Sequence, residues 1–377
     1  MQALLVAGAR PNFMKIAPLF KEAANNSRID CKIVHTGQHY DYEMSQAFFE
    51  DLKLPEPHFF LNAGSGTHAQ QTARIMVGFE ALCEKERPDV VIVVGDVNST
   101  LAASIVAKKQ NIKVAHVEAG LRSFDLTMPE EINRMVTDAI SDFFFVTEES
   151  ALRNLTLEGK ARERIYFVGN VMIDNLYHQM EELEACAGTR FSTFGLKAES
   201  KGYAFLTLHR PSNVDSREVF AGIAEAINKI SEQLDVFFSV HPRTKKMIEQ
   251  NAVRFADRVR LLPPLSYKEA LYLWKDARMV LTDSGGLQEE TTAIGVPCIT
   301  IRNNTERPIT VEMGSNRLAG NQKEGIWRAF DETLDRGNPG YKVPPQWDGK
   351  ASGRIWKVLC ELLHNEETHR QASGDAA

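Results

Sequence analysis

Long apolar runs are missing from this chain: the longest, such as Val90 to Val94, are five residues, whereas a membrane-spanning helix needs about 20. That excludes a transmembrane protein. Net positive charge is also missing. The 44 Lys and Arg are outnumbered by 50 Asp and Glu, a formal charge of −6, so no global field draws the protein to nucleic acid or to an anionic membrane. Any phosphate it binds must be recognised locally. Cysteines are few, five in number, scattered and never in a C-x-x-C pair, which excludes a disulfide framework and argues against a zinc site. A basic leader is absent too. Met1-Gln2-Ala3-Leu4-Leu5-Val6-Ala7 runs into a glycine turn and reads as a first strand, so the cytoplasm is the expected compartment. No Asp-rich loop is present, and neither a metal nor any other cofactor is expected.

What is present is a soluble, globular composition, 43 % hydrophobic and 25 % charged, over a length that suits two domains. Compact β-branched or aromatic runs, Ala3–Ala7, Cys31–His35, Val90–Val94, Val114–Val117 and Phe143–Val146, alternate with segments of helical period, Asn12–Asn25, Ala69–Lys85, Ser99–Gln110 and Glu130–Ile140. This is βαβ repetition, which predicts a parallel sheet covered on both faces. A second series follows, with strands at Ala204–Leu208, Val236–Val240, Arg260–Leu262, Met279–Thr282 and Cys298–Ile301. The seam is expected near Gly169-Asn170, and Cys186–Gly202 reads as a loop before the second sheet. The predicted fold class is therefore α/β, two Rossmann-like domains with parallel sheets facing an interdomain cleft. In such sheets ligands sit beyond the carboxyl ends of the strands.

The first strand ends in Gly8-Ala9-Arg10-Pro11-Asn12, followed by Lys15 on the next helix. Arg10 and Lys15 put cations where helix N–H groups already favour an anion. Three further exits carry carboxylates: Asp96 after Val90–Val94, Glu118 after His116 and Val117, and Glu130 and Glu131 at the start of a helix that also holds Asn133 and Arg134. Converging carboxylates repel one another and raise a pKa toward the range useful for proton transfer. Asp96 equally suits a helix N-cap, and the Glu130-Glu131 pair a helix N-terminus. In the second half, strands end in His209-Arg210-Pro211 and His241-Pro242-Arg243. The strongest local signal is Asp283-Ser284-Gly285-Gly286-Leu287-Gln288-Glu289-Glu290. Its small residues let backbone amides approach a pyrophosphate, and Glu290, one turn on, suits ribose hydroxyls. Thr305 and Arg307 fall in a polar loop at the same edge and are expected at the cleft rather than in the core.

These segments occur in one order with Thr36-Gly37-Gln38-His39, His116-Val117-Glu118-Ala119-Gly120-Leu121-Arg122 and Gly169-Asn170. Together, over about residues 1–320, the chain resembles the UDP-N-acetylglucosamine 2-epimerase family of the non-hydrolysing type. The resemblance implies a GT-B-like fold with domains 1–169 and 170–352, the last helix, about 353–377, packing back on the first. It implies inversion at C2 of UDP-GlcNAc to UDP-ManNAc, by elimination and re-addition of UDP through a 2-acetamidoglucal, as a step toward surface polysaccharide precursors. The matched catalytic residues are Asp96, Glu118, Glu130 and His209. The matched substrate-binding set is Arg10, Lys15, His39, Arg134, Arg210, His241, Ser284, Gly285, Gly286, Glu290 and Arg307, and a homodimer through the first domain is implied. Ala9, Asn12, Pro211 and Ser212 depart from the family's commoner pattern, and His68-Ala69-Gln70-Gln71 lacks the arginine of a regulatory substrate site. A related UDP-2-acetamido sugar, a hydrolysing 2-epimerase and a GT-B glycosyltransferase remain the alternatives.

Overall fold

The computed structural model describes residues 1–37, 49, 52–185, 191–336 and 340–372, with the side chains of Arg10, Arg336 and residues 365–372 outside the description. The chain forms two compact units, residues 1–175 with 345–377, and residues 176–344.

The first unit is built on a seven-stranded sheet, β1 (Gln2–Ala7), β2 (Asp30–His35), β3 (Phe59–Phe60), β4 (Val90–Val94), β5 (Lys113–Val117), β6 (Phe143–Val146) and β7 (Ile165–Phe167). Its order is β3-β2-β1-β4-β5-β6-β7, with every pairing parallel. The wholly apolar β4 lies at the centre of the order and is fully buried. Strands buried on both faces have no polar side to show, which is why Val90–Val94 is continuous rather than alternating. On one face, Leu4, Val6, Val91 and Val93 pack against Phe79, Leu82, Ala103 and Val106 from the helices His68–Glu86 and Asn98–Lys109.

The second unit repeats the plan with six parallel strands, β8 (Tyr203–Leu208), β9 (Asp235–Val240), β10 (Val259–Leu262), β11 (Met279–Thr282), β12 (Cys298–Thr300) and β13 (Asn316–Leu318), ordered β10-β9-β8-β11-β12-β13. Leu206, Phe238, Leu281 and Ile299 pack there against Phe220, Ile223 and Ile227 of the helix Arg217–Ser231. The strands β3, β7 and β13 are two or three residues long, too short to show a period in sequence. The helix Phe194–Glu199 occupies part of the stretch expected to be loop.

The division between units falls at Asn175, inside the helix Val171–Ala185, rather than at Gly169. Its cause is local. Val171 and Ile173 are buried, and Asp174 accepts the amides of Ala351 (3.0 Å) and Ser352 (2.7 Å), the first residues of the helix Ala351–Ala372. The return begins at Pro345, earlier than the expected 353, because Trp347 is already buried and donates its indole N–H to the Thr147 carbonyl at 3.0 Å. Further on, Trp356 donates to the Leu19 carbonyl at 2.8 Å. Among the described residues no helix is long and apolar enough to cross a membrane, and Cys31, Cys83, Cys298 and Cys360 are free thiols.

Candidate active site

In the first unit the parallel register sets Val94 beside Val117, so Gly95-Asp96 and Glu118 leave adjacent strands at the same sheet edge. The helix Arg10–Ala24 carries Lys15 to that edge, where its Nζ lies 2.5 Å from Glu118 Oε2. Both side chains are buried, Lys15 to 7 % exposure and Glu118 to 1 %. Gly95 makes room for the ammonium: its φ is +67°, and a Cβ there would meet Lys15 Nζ at 2.9 Å. Asn12 fastens the same corner, accepting the Ala9 amide at 3.0 Å and donating to the Val94 carbonyl at 3.0 Å. The family departure at position 12 is therefore a structural lock between the exits of β1 and β4.

Asp96 is half-buried and paired with Arg134 of the helix Pro129–Ile140. It is not an N-cap, since Val97 occupies that position. Arg134 Nη1 is 3.1 Å from Glu131 Oε2, and Glu131 also accepts the amides of Ser123 and Phe124 at 2.9 and 3.0 Å. Of the two adjacent acids it is thus Glu131 that turns inward, while Glu130 is exposed on the first turn. The expected cluster of mutually repelling carboxylates gives way to pairs: Glu118 with Lys15, and Asp96 and Glu131 with Arg134. His39 and the Arg10 side chain lie outside the described residues.

The second unit gathers its site around Asp283, which sequence reasoning left out of the site residues. Asp283 is fully buried. It accepts the main-chain amides of His209 (3.0 Å) and Arg210 (2.9 Å) and the Asn213 amide group (3.1 Å), and lies 2.8 Å from His209 Nδ1. Burial pushes its carboxyl up, but the hydrogen bond and charge of His209 outweigh that, and the two amides add to the effect, so the group sits below the usual carboxylate range. A carboxylate on Nδ1 makes that nitrogen the donor and leaves Nε2 for a ligand. The His209 side chain is 43 % exposed. His241, at the neighbouring exit of β9, has its ring 6.0 Å from that of His209, and its Nδ1 accepts the Arg243 amide. Arg210 donates from Nε to the Asp283 carbonyl at 3.1 Å.

Ser284 is the N-cap of the helix Gly285–Ile294, but its hydroxyl makes no capping hydrogen bond. A Cβ at Gly285 would meet nothing within 4 Å. Packing within the chain therefore does not demand glycine at 285, and the helix amides there are open to close approach. Glu290 is buried and accepts the Tyr267 hydroxyl at 2.6 Å. Arg307, expected at a cleft, is buried instead, with Nε 2.8 Å from Glu289 Oε1. Tyr267, like Asp283 and Asn213, was missed as a site residue. Asp283 had a signal, being the acid that ends a strand directly before the glycine turn.

Burial pushes the Glu290 carboxyl up to about 8, the Tyr267 hydrogen bond opposing and the Glu289 charge adding to the rise. A carboxyl raised on folding favours the protonated folded chain. Its stabilising contribution is full below the unfolded value of 4.5 and is lost as pH climbs through about 8. The ligand-free protein should thus lose melting temperature between pH 5 and 9, about these limits, and Glu290→Gln should flatten that fall, as a pH series of thermal unfolding curves will read.

The family model described as UDP-N-acetylglucosamine 2-epimerase matches residues 21–360. The chain is 43 % identical over 365 residues to the UDP-N-acetylglucosamine 2-epimerase of Methanocaldococcus jannaschii, covering 95 % of this chain and 99 % of that one. It is 40 % identical to the UDP-2,3-diacetamido-2,3-dideoxy-D-glucuronate 2-epimerase of Pseudomonas aeruginosa, covering 96 % and 100 %. The crystal structure of the M. jannaschii UDP-GlcNAc 2-epimerase in complex with UDP-GlcNAc and UDP superposes with a TM-score of 0.86 at 42 % identity, covering 96 % of this chain and 100 % of that one.

Proposed function

The chain belongs to the UDP-N-acetylglucosamine 2-epimerase family, and from that premise we propose that it interconverts UDP-GlcNAc and UDP-ManNAc by inversion at C2. The observation that carries this reading is the pair of carboxylates, Glu118 and Asp96, leaving adjacent parallel strands with a cation on each. Inversion needs one group to take the C2 proton and another to return a proton to the opposite face, and a sheet edge with two held carboxylates meets that need. As the proton leaves C2, the C1–oxygen bond to UDP breaks and a 2-acetamidoglucal forms. Re-addition of UDP at C1 with protonation at C2 gives the epimer. The departing diphosphate gains negative charge, which His209 Nε2, the Ser284 hydroxyl and the amides at Gly285 and Gly286 are disposed to stabilise, the Ser284 amide being given to the Thr282 hydroxyl at 3.0 Å. Glu290 is assigned to the ribose, Arg210 and His241 to the same ligand, and Lys15 and Arg134 to holding Glu118 and Asp96. Arg10, His39 and Glu130 keep their assignments from the family resemblance alone, whereas Arg307 is given to Glu289.

A homodimer through the first unit is supported by its exposed apolar side chains. Ile132, Met135 and Val136 lie at helical spacing, with Phe124 and Leu126 in the preceding loop, a grouping that suits burial against a second copy. The free thiols fit a reducing compartment, the cytoplasm.

The P. aeruginosa relative favours a second reading, a 2,3-diacetamido uronate on UDP as substrate. Proton NMR on each sugar nucleotide separates the two. UDP-GlcNAc is expected to be turned over with a kcat/KM at least about 10²-fold above that of the diacetamido uronate. The reverse order would transfer the assignment, and release of free ManNAc with UDP would make the enzyme a hydrolysing one.

A further inference from the structure

We propose that His116 and Asp138 form a buried clamp that positions Glu118 and Asp96 for proton transfer, an inference that rests on the C2-epimerase reading. His116 lies on β5 with no exposed surface. Its Nε2 is 2.9 Å from the carbonyl of Gly95, the residue before Asp96, and its Nδ1 is 2.7 Å from Asp138 Oδ1. Both ring nitrogens thus face acceptors, so the imidazole ties the exit of β4 to the helix Pro129–Ile140. Asp138 Oδ2 in turn accepts the Gly120 amide at 3.0 Å and lies 2.7 Å from Arg122 Nη2. Arg122 is held at its other side by Glu158, with two contacts of 2.8 Å. One carboxylate therefore ties the same helix to the exit of β5.

The exit of β5 is where such a tie is needed. Glu118 has φ of 72°, a left-handed conformation in a residue with a Cβ, and Gly120 follows at 78°. A non-glycine residue held there costs on the order of 1–3 kcal/mol and persists only where its surroundings fix it. The Glu118 and Ala119 amides both donate to the Phe145 carbonyl, at 3.0 and 3.2 Å, and Asp138 holds the next amide, that of Gly120. The helix also carries Arg134 and Asn133. Arg134 pairs with the Asp96 carboxylate and Asn133 donates to the Asp96 carbonyl at 2.9 Å, one turn from Asp138. A single helix thus grips both exits through three of its side chains, Asn133, Arg134 and Asp138, with His116 linking Asp138 to Gly95.

Burial pushes the Asp138 carboxyl up, yet His116 and Arg122 draw it below its ordinary range, as a permanently charged anchor requires. Packing alone does not call for this cluster, because an apolar residue of like volume stabilises a core as well as a buried ion pair does. What an apolar residue cannot supply is two directed contacts to two strand exits. His116 is a positioning residue, since it has no surface through which to touch a substrate.

The test uses His116→Asn, which can reach one acceptor but not span both, and Asp138→Asn, which keeps the shape and removes the charge. Each is compared with the unaltered chain for thermal unfolding, UDP affinity, and kcat and KM on UDP-GlcNAc. The clamp predicts folded variants with UDP affinity and KM within about threefold of the unaltered chain and kcat lowered about 10²-fold or more, the loss a displacement of about 1 Å brings. A folded variant with kcat within about threefold of the unaltered chain overturns the proposal, and so does failure of both variants to fold, which assigns the cluster to stability alone. If only one folds, its kcat decides. Should the unaltered chain leave UDP-GlcNAc unchanged, the epimerase reading itself falls and takes the clamp with it.

Discussion

Glu118→Gln is expected to slow C2 proton exchange about 10³-fold while leaving UDP affinity within about twofold, the size of effect that loss of a general acid or base brings. The amide keeps the shape and a hydrogen-bonding oxygen but cannot take a proton from C2. UDP affinity should survive because the assigned diphosphate ligands, His209, Ser284, Gly285 and Gly286, all belong to the other unit. The substitution also acts on stability. Lys15 is 7 % exposed and 2.5 Å from Glu118, so the substitution strands a buried ammonium. Removing one partner of a buried pair costs about 3–5 kcal/mol. The single variant should therefore melt lower as well as exchange slowly. Lys15→Met combined with Glu118→Gln should recover most of the melting temperature without recovering exchange. Recovery of exchange in the double variant would mean that Glu118 matters only as a counter-ion.

Asp283→Ala should be the most damaging change in the second unit. The carboxylate is fully buried and is the shared acceptor for two main-chain amides, the Asn213 side chain and His209 Nδ1. Alanine leaves those donors without their acceptor, at a cost of about 3–5 kcal/mol. The folded carboxyl lies below its unfolded value of 3.8, so its contribution is whole at every pH above that value and is lost as pH falls through the lower, folded one. Calorimetry at neutral pH will therefore read the full loss. UDP affinity should fall with it, by about 10²-fold, because Asp283 sets both the His209 ring and the Arg210 main chain. Asp283→Asn retains one acceptor oxygen and should fall between the two. An Asp283→Ala protein that melts and binds UDP as before would remove Asp283 from the site.

Much of this was legible in the residues, and the reason differs from place to place. Val90–Val94 announces a central parallel strand because burial on both faces leaves no polar alternation. Ser284-Gly285-Gly286 points to an anion site because small residues before a helix let its amides approach a phosphate, and the space beside Gly285 is open. The Lys15–Glu118 pair could not be read, since it depends on β1 lying beside β4 and β4 beside β5, and strand order is not written in local pattern. Glu130 and Glu131 differ only in helix phase: one residue of rotation, about 100°, turns Glu131 toward Arg134 and leaves Glu130 in solvent. Arg307 looked like a loop cation, and only its burial against Glu289 reveals its internal partner.

Inversion at C2 by removal of its proton and return of one from solvent is read out by incubation with UDP-GlcNAc in D₂O. Proton NMR should show loss of the C2 hydrogen signal in recovered UDP-GlcNAc and deuterium at C2 in newly formed UDP-ManNAc, with no acceptor added. A folded, UDP-binding protein that leaves the C2 hydrogen in place would contradict the account.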